Sequence, residues 1–531
     1  MLTRISRRAA VDHADRAAFV APEGWEISYR QLDRAADEAA AGLSERGLRQ
    51  GSMLALATGS VVDYVVLYLA AARLGAVTAG VNPRLTRREI GECLEVLRPD
   101  LVIATPELQA GVADTPWRLE VMTPGSDAAT AAAAFRVKDA PDAPLQADDT
   151  DRPVCVCFTS GSTGAPKGAW FANRQLEVIA ELDSGLAWDG SGGAADDSVP
   201  AEGPAAAGSK AAVGEDADSN GRHGISATAL AHVGFMTKLP WMMAAGRTTH
   251  LLARWSAGPV LELIARRRMR AVTAVAPQIA LMLRHRLIET LDFSAVEAIV
   301  VGGALSPGWM VAEARERFGA GYSIRYSSTE SGGIGLATAL DADDAEALHT
   351  IGRPRPGVQA EVRSADGSVL PAGEVGELWL CSGAVMSGYW NDPEGSAAAL
   401  VDGWLRTGDL ASVDASGCFR LAGRVTDMFI RGGYNVYPAE VEAFLGRHPG
   451  VAEIAVVPRP DRLMGEIGVA VVVAADGEHV PSLEDLRTFG ADGLAAFKLP
   501  EALLVLDSLP RNSADKVDRR RLAAMAAAPD Q

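Results

Sequence analysis

The chain has 531 residues, more than a single hydrophobic core ordinarily organises, so two or more folding units are expected. Its 48% hydrophobic and 22% charged content suits a soluble globular enzyme. A net charge of −18 argues against a nucleic-acid surface, which needs clustered Lys and Arg.

Five scattered cysteines (Cys93, Cys155, Cys157, Cys381, Cys418) fit a reducing cytoplasm, with core packing the expected role of Cys155 and Cys157. Met1 to Arg8 is basic but lacks an apolar run of the secretory kind. Val61 to Ala72 is interrupted by Asp63 and is shorter than the about 20 residues a bilayer span takes. A soluble cytoplasmic protein, without membrane or nucleic-acid partners, is the expectation.

In chain order, Val61 to Leu74 predicts a buried helix and Ala76 to Gly80 a strand. Thr86 to Val96 predicts an amphipathic helix N-capped by Thr86, and Leu101 to Ala104 another strand. This rhythm implies an α/β layer architecture. Residues 123–150, rich in Ala and Asp, predict an irregular approach to the next strand, Val154 to Phe158. Residues 184–222 hold almost no aliphatic core formers and predict a floppy acidic insertion. The rhythm returns with strands at Met269 to Val275 and Ala298 to Val301 and a helix from Pro307 to Phe318. The basic cluster Arg266 to Arg270 follows an apolar helical pattern and reads as a solvated face. From 358 onward short strands take over: Gln359 to Arg363, Gly376 to Cys381, Phe419 to Leu421. Beyond about 428, strands Val451 to Val457 and Ile467 to Ala474 with a helix Leu483 to Gly490 predict a small α+β unit.

The most informative stretch is Phe158-Thr-Ser-Gly-Ser-Thr-Gly-Ala-Pro-Lys-Gly168. Gly161, Gly164 and Gly168 permit backbone N–H groups to converge on an anion. Thr159, Ser160, Ser162 and Thr163 add hydroxyl donors, and Lys167 adds a mobile cation, a combination suited to polyphosphate. It is not a P-loop of the NTPase kind, because Lys167 is followed by Gly168 rather than Ser or Thr, and Pro166 obstructs the helix that would follow. Further along stand Tyr326-Ser-Ser-Thr-Glu330, Gly403-Trp-Leu-Arg-Thr-Gly-Asp409, the run Gly423 to Glu442 containing Arg424, Gly432 and Gly433, and Leu509-Pro-Arg-Asn-Ser-Ala-Asp-Lys-Val-Asp-Arg-Arg520.

In this order, from Phe158 to Arg520, these motifs resemble those of the adenylate-forming (AMP-binding) superfamily, on its acyl-CoA synthetase branch. The resemblance implies a large N-terminal domain, residues 1–424, of layered α/β subdomains with a small β-barrel-like part. It further implies a hinge at 425–427 and a small mobile α+β lid over 428–531. By the same resemblance the loop from Thr159 through Ser160, Gly161, Ser162, Thr163 and Gly164 to Lys167 holds phosphates. Gly303 and Ala304 line adenine and acyl chain, and Tyr326 and Ser327 lie at adenine. Thr329 contacts the carboxylate or α-phosphate, and Glu330 holds Mg²⁺. Asp409 takes the ribose hydroxyls, and Arg424 takes ribose or phosphate. Gly432 and Gly433 line the pantetheine tunnel, Lys516 is the catalytic lysine, and His232 lies near the acyl pocket. The segment Gly376 to Trp390 resembles a scaffold motif and is assigned packing rather than chemistry.

Three departures stand out against the superfamily pattern: Ser327 for a glycine, Thr426 for the usual hinge Lys or Asp, and Asp515 for a glycine beside Lys516. No acidic residue lies between Ala229 and Trp241, where amino-acid-activating relatives place an aspartate, so a non-amino acid is expected. The resemblance implies an ATP-dependent, AMP-forming ligase that makes an acyl-AMP from a small carboxylic acid and transfers the acyl group to CoA. Other readings stay open: use of preformed acyl-AMP from a partner adenylating enzyme, loading of a carrier protein, a luciferase-like oxygenase, and a nucleotide-binding regulator. Oligomeric state is open, a homodimer included.

Overall fold

The computed structural model describes residues 1–113, 115–144, 149–159, 166–184, 222–303, 306–432, 434–475, 480–512 and 516–527. The expected insertion at 184–222 falls almost wholly outside them. The chain divides into two compact units, residues 1–359 with 380–405, and residues 360–379 with 406–531.

The first unit carries the α/β layers. Its largest sheet runs in the order Gly388–Tyr389, Lys167–Ala172, Pro153–Thr159, Val77–Gly80, Met53–Ala57, Leu101–Ala104, Leu119–Val121. The strands from Pro153–Thr159 to Leu119–Val121 pair in parallel, and the two pairings on the other side, through Lys167–Ala172 to Gly388–Tyr389, are antiparallel. Met53–Ala57 is buried at every residue, as an interior parallel strand covered on both faces must be. Helix Val62–Leu74 is apolar nearly all round and buried nearly all round, and Gly75, at φ 70°, terminates it in the left-handed conformation. Asp63, which interrupts that apolar run, is buried and accepts backbone bonds from Gly125 (3.0 Å) and Ala132 (2.7 Å). It thereby pins the irregular segment, which among the described residues carries a helical turn at Ala133–Phe135. Thr86 caps helix Arg87–Leu97 through the reciprocal Thr86–Glu89 bonds that its sequence spacing allows. Cys155 and Cys157 are buried and all five cysteines are free thiols.

A second sheet of this unit orders Ala271–Val275, Ala298–Gly302, Gly321–Tyr326, Leu336–Ala337 and Arg353–Pro354, the first three parallel. A third orders Glu26–Ser28, Ala17–Val20, Thr248–His250 and His223–Ile225. In it His223 Nδ1 and His250 Nε2 meet at 3.0 Å, both rings buried. Burial, then His223 and the Arg267 and Arg266 cations, lower the His250 imidazole from 6.5 to about 3. The unfolded chain therefore binds a proton below pH 6.5 that the folded chain refuses until about pH 3. Stability present above pH 6.5 is lost as pH falls through that window, at up to about 1.4 kcal/mol per pH unit. His250→Asn should flatten the fall in melting temperature between pH 6.5 and 4, as read by scanning calorimetry; an unchanged slope would contradict this.

The second unit opens with a small sheet drawn mainly from Gln359–Arg363, Gly376–Cys381, Trp404–Val413 and Phe419–Arg424. The rest is α+β. Strands Tyr434–Val436, Phe429–Arg431, Gly465–Ala474 and Val451–Asp461 line up in that order, and Ala502–Val505 joins parallel to Gly465–Ala474. Helices Pro438–Leu445 and Arg519–Ala526 contribute Val441, Leu445 and Leu522 to its cores. Val451–Asp461 extends past the expected Val457 through Pro458 and Pro460. It can do so because it lies at the sheet edge, where a proline's missing N–H goes unneeded. Among the described residues, no helix is long and apolar enough to cross a membrane.

Candidate active site

In the first unit, the strands Pro153–Thr159 and Lys167–Ala172 are antiparallel neighbours with Thr159 opposite Lys167. The described ends of the motif are thus antiparallel strand partners, and the lysine opens a strand rather than a helix, in keeping with the rejection of a P-loop. Ser160, Gly161, Ser162, Thr163 and Gly164 lie outside the described residues. Gly168 sits where a Cβ would come within 2.6 Å of Val156, so the two strands close tightly below the loop.

Tyr326 ends its strand, buried, and the chain turns at once. Ser328 and Ser331 brace that turn reciprocally: Ser328 N donates to Ser331 Oγ (3.0 Å), and Ser331 N donates to Ser328 Oγ (3.1 Å). Thr237 Oγ1 donates to the Gly332 carbonyl (3.2 Å) and Lys238 Nζ to that of Gly333 (3.3 Å), holding the turn from behind. Ser327, Thr329 and Glu330 are left half-buried on it. Glu330 accepts at Oε1 from the Tyr389 hydroxyl (2.9 Å), and its carbonyl accepts from Met386 N (2.8 Å). Lys167 Nζ stands 4.8 Å from the centre of the same Tyr389 ring. The segment read as packing therefore touches two expected site residues. Ser328 and Tyr389 lie within motifs but carry no role there in the sequence reading, and Ser331 directly follows one.

Gly303 has φ +77°, so the chain leaves strand Ala298–Gly302 in a conformation that favours glycine; Ala304 lies outside the described residues. His232 is exposed rather than packed in the core. It caps Val233–Met236, its Nδ1 accepting from Gly234 N (3.1 Å), which puts a neutral ring's proton on Nε2. An acidic group does reach this segment from elsewhere: Asp183 pairs with Lys238 (2.7 Å) and Arg355 (3.1 Å). Burial pushes the Asp183 carboxyl up, but Lys238 and Arg355 outweigh it and hold it below the usual carboxylate range.

In the second unit Asp409 and Arg424 face each other across paired strands, Arg424 Nε 3.0 Å from Asp409 Oδ1. Asp409 is only 8% exposed, and Thr407 Oγ1 accepts its backbone N–H (3.1 Å). Thr426 Oγ1 donates to Asp427 Oδ1 (3.3 Å), and Asp427 pairs with Arg519 (3.3 Å), which also forks onto Glu442. Gly432, at φ +55°, donates to the Met464 carbonyl (2.8 Å), and a Cβ there would stand 3.2 Å from Met464 Sδ. Gly433 and Asp515 lie outside the described residues. Lys516 is exposed; its carbonyl accepts from Asn512 N (2.8 Å) and its N–H donates to Asn512 Oδ1 (3.1 Å).

A hard cation such as Mg²⁺ fits this donor set. No cluster of three or more ligating side chains exists among the described residues, and Mg²⁺ is commonly held by one or two carboxylates plus substrate phosphates and water. Oε2 of Glu330 takes no hydrogen bond among the described residues and would be the ligand oxygen.

The AMP-binding enzyme family matches residues 6–390, and the AMP-binding enzyme C-terminal domain matches residues 440–516. The chain belongs to this family of ATP-dependent, AMP-forming ligases. It is 31% identical to a fatty acid–[acyl-carrier-protein] ligase, ScoC, of Streptomyces coeruleorubidus, over 96% of this chain and 93% of that one. It is 30% identical to a feruloyl-CoA synthase of Amycolatopsis, over 94% of each. Among solved structures, the amide bond synthetase McbA of Marinactinospora thermotolerans superposes with a TM-score of 0.84 at 28% identity, covering 99% of this chain and 100% of that one.

Proposed function

We propose that the chain activates a carboxylic acid as an acyl adenylate and transfers the acyl group to coenzyme A. The observation that supports this most is the meeting of Lys167 and Glu330, far apart in sequence, on one phenol. A carboxylate is a poor electrophile, because its leaving group would be oxide. Its oxygen attacks the α-phosphorus of ATP, the bond to the bridging oxygen breaks, and pyrophosphate departs with the electron pair. Lys167 and the loop before it grip the tail, Asp409 and Arg424 the sugar, and Lys516 meets charge growing on the α-phosphoryl oxygens. Mg²⁺, held by Glu330, would supply neutralisation of triphosphate charge. The lid then turns about 425–427, withdrawing Lys516 and bringing Gly432 and Gly433 to guide pantetheine. The CoA thiolate attacks the acyl carbonyl, and AMP leaves.

The acid is not an amino acid on this reading, since Asp183 is already committed to two cations and is a poor receptor for an ammonium group. Similarity to ScoC favours a second reading, with a carrier-protein phosphopantetheine as acceptor. Mass detection of thioesters decides: a panel of carboxylic acids, and their preformed adenylates, is offered with CoA or with a holo carrier protein. CoA thioester from free acid and ATP is the expected product. Thioester from preformed adenylates alone would mean that the first half-reaction belongs to another enzyme, and carrier loading alone would move the acceptor.

A further inference from the structure

We infer that Tyr389 is a positioning residue for adenylation, holding Glu330 and Lys167 ready while keeping them from neutralising each other. This rests on the roles proposed above for those two residues. A lysine and a glutamate brought to one site attract, and a direct ion pair would occupy both charges needed for the metal and the triphosphate. Tyr389 touches both. Its neutral hydroxyl donates to Glu330 Oε1 at 2.9 Å, and its ring takes the Lys167 ammonium at 4.8 Å. Each partner gains an attraction, and each keeps its formal charge. Among the described residues, no ion pair joins Lys167 to a carboxylate.

The backbone gives this phenol little freedom. Tyr389 pairs with Ala169 and Gly388 with Trp170, on the strand that begins at Lys167. Ser387 N donates to Trp170 O (3.0 Å), and Trp390 N donates to Gly168 O (2.7 Å). Tyr389 N donates to Ser396 Oγ (2.8 Å), and a Cβ at Gly388 would come within 2.9 Å of that same oxygen. Met386 N meanwhile grips the Glu330 carbonyl, so the segment 386–390 ties the metal-holding turn to the lysine strand at both backbone and side chain.

Two variants separate the two contacts. Tyr389→Phe keeps the ring and removes the hydroxyl; Tyr389→Leu removes both. Titration calorimetry with ATP, with and without Mg²⁺, reads binding independently of turnover. Tyr389→Phe should weaken Mg·ATP binding about 10- to 100-fold, the usual loss when a ligand's outer partner is removed, and leave metal-free ATP binding and the melting temperature nearly unchanged. Tyr389→Leu should in addition weaken metal-free ATP about 3- to 10-fold, as lost cation–π contacts do. Wild-type affinity for Mg·ATP in the Phe variant would overturn the inference. So would equal losses with and without metal, the signature of a packing role. If the wild-type protein itself gains nothing from Mg²⁺, the underlying reading of Glu330 fails first, and this inference with it.

Discussion

Lys516→Ala will cut acid-dependent pyrophosphate exchange by about two to three orders of magnitude, the effect of removing one aimed donor from a developing charge. It will leave thioester formation from supplied acyl-AMP within a few-fold of wild type. The fold should be untouched, because Lys516 meets Asn512 through its backbone N–H and carbonyl, which an alanine keeps. The side chain is exposed, so its loss opens no cavity. Two half-reactions with one lysine in only the first is what a lid that turns between steps requires. Equal loss of both activities in the folded variant would remove the case for that turn. If wild type itself shows no exchange with any acid but makes thioester from acyl-AMP, the chain works on adenylates delivered by another enzyme.

Asp409→Asn should raise the KM for ATP about 10- to 100-fold, as the loss of charge-assisted hydrogen bonds does. A carboxylate offers two acceptor oxygens to two ribose hydroxyls; a carboxamide offers one and turns an N–H₂ toward a donor. The same substitution places that amide against Arg424, whose Nε lies 3.0 Å from Asp409 Oδ1, so the arginine also loses its anchor. The decisive comparison is 2′-deoxy-ATP. Wild type should discriminate against it strongly, since a site built for a hydroxyl leaves a buried acceptor unpaired without one, and the variant should discriminate much less. Undiminished discrimination in the variant would place the ribose elsewhere.

Much of the fold was legible because periodicity and end signals agree. Strands Leu101–Ala104, Gln359–Arg363 and Gly376–Cys381 fall where apolar and alternating runs predict them. Helix Arg87–Leu97 begins at the Thr86–Glu89 box. The sequence predicts only Val451 to Val457 of strand Val451–Asp461, because prolines mask strand pattern and edge position is a property of the whole sheet. The departures at Ser327 and Thr426 are visible in sequence; what each costs depends on neighbours. Thr426 and Asp427 bond to each other, and Arg519 secures Asp427 from 92 residues downstream. A linear pattern holds no trace of that link.

What the sequence determined by itself is the family, the α/β class and the residue types that the proposed triphosphate, ribose and metal roles require, because each role needs particular donors at close spacing along the chain. Only the tertiary structure decided which distant groups share a site. Tyr389 joins Lys167 to Glu330, Asp183 arrives between Lys238 and Arg355, and His232 turns outward as a cap. The reason is physical: local motifs fix chemistry through covalent spacing, whereas contacts between strands depend on register and burial, which are settled only when the sheets assemble.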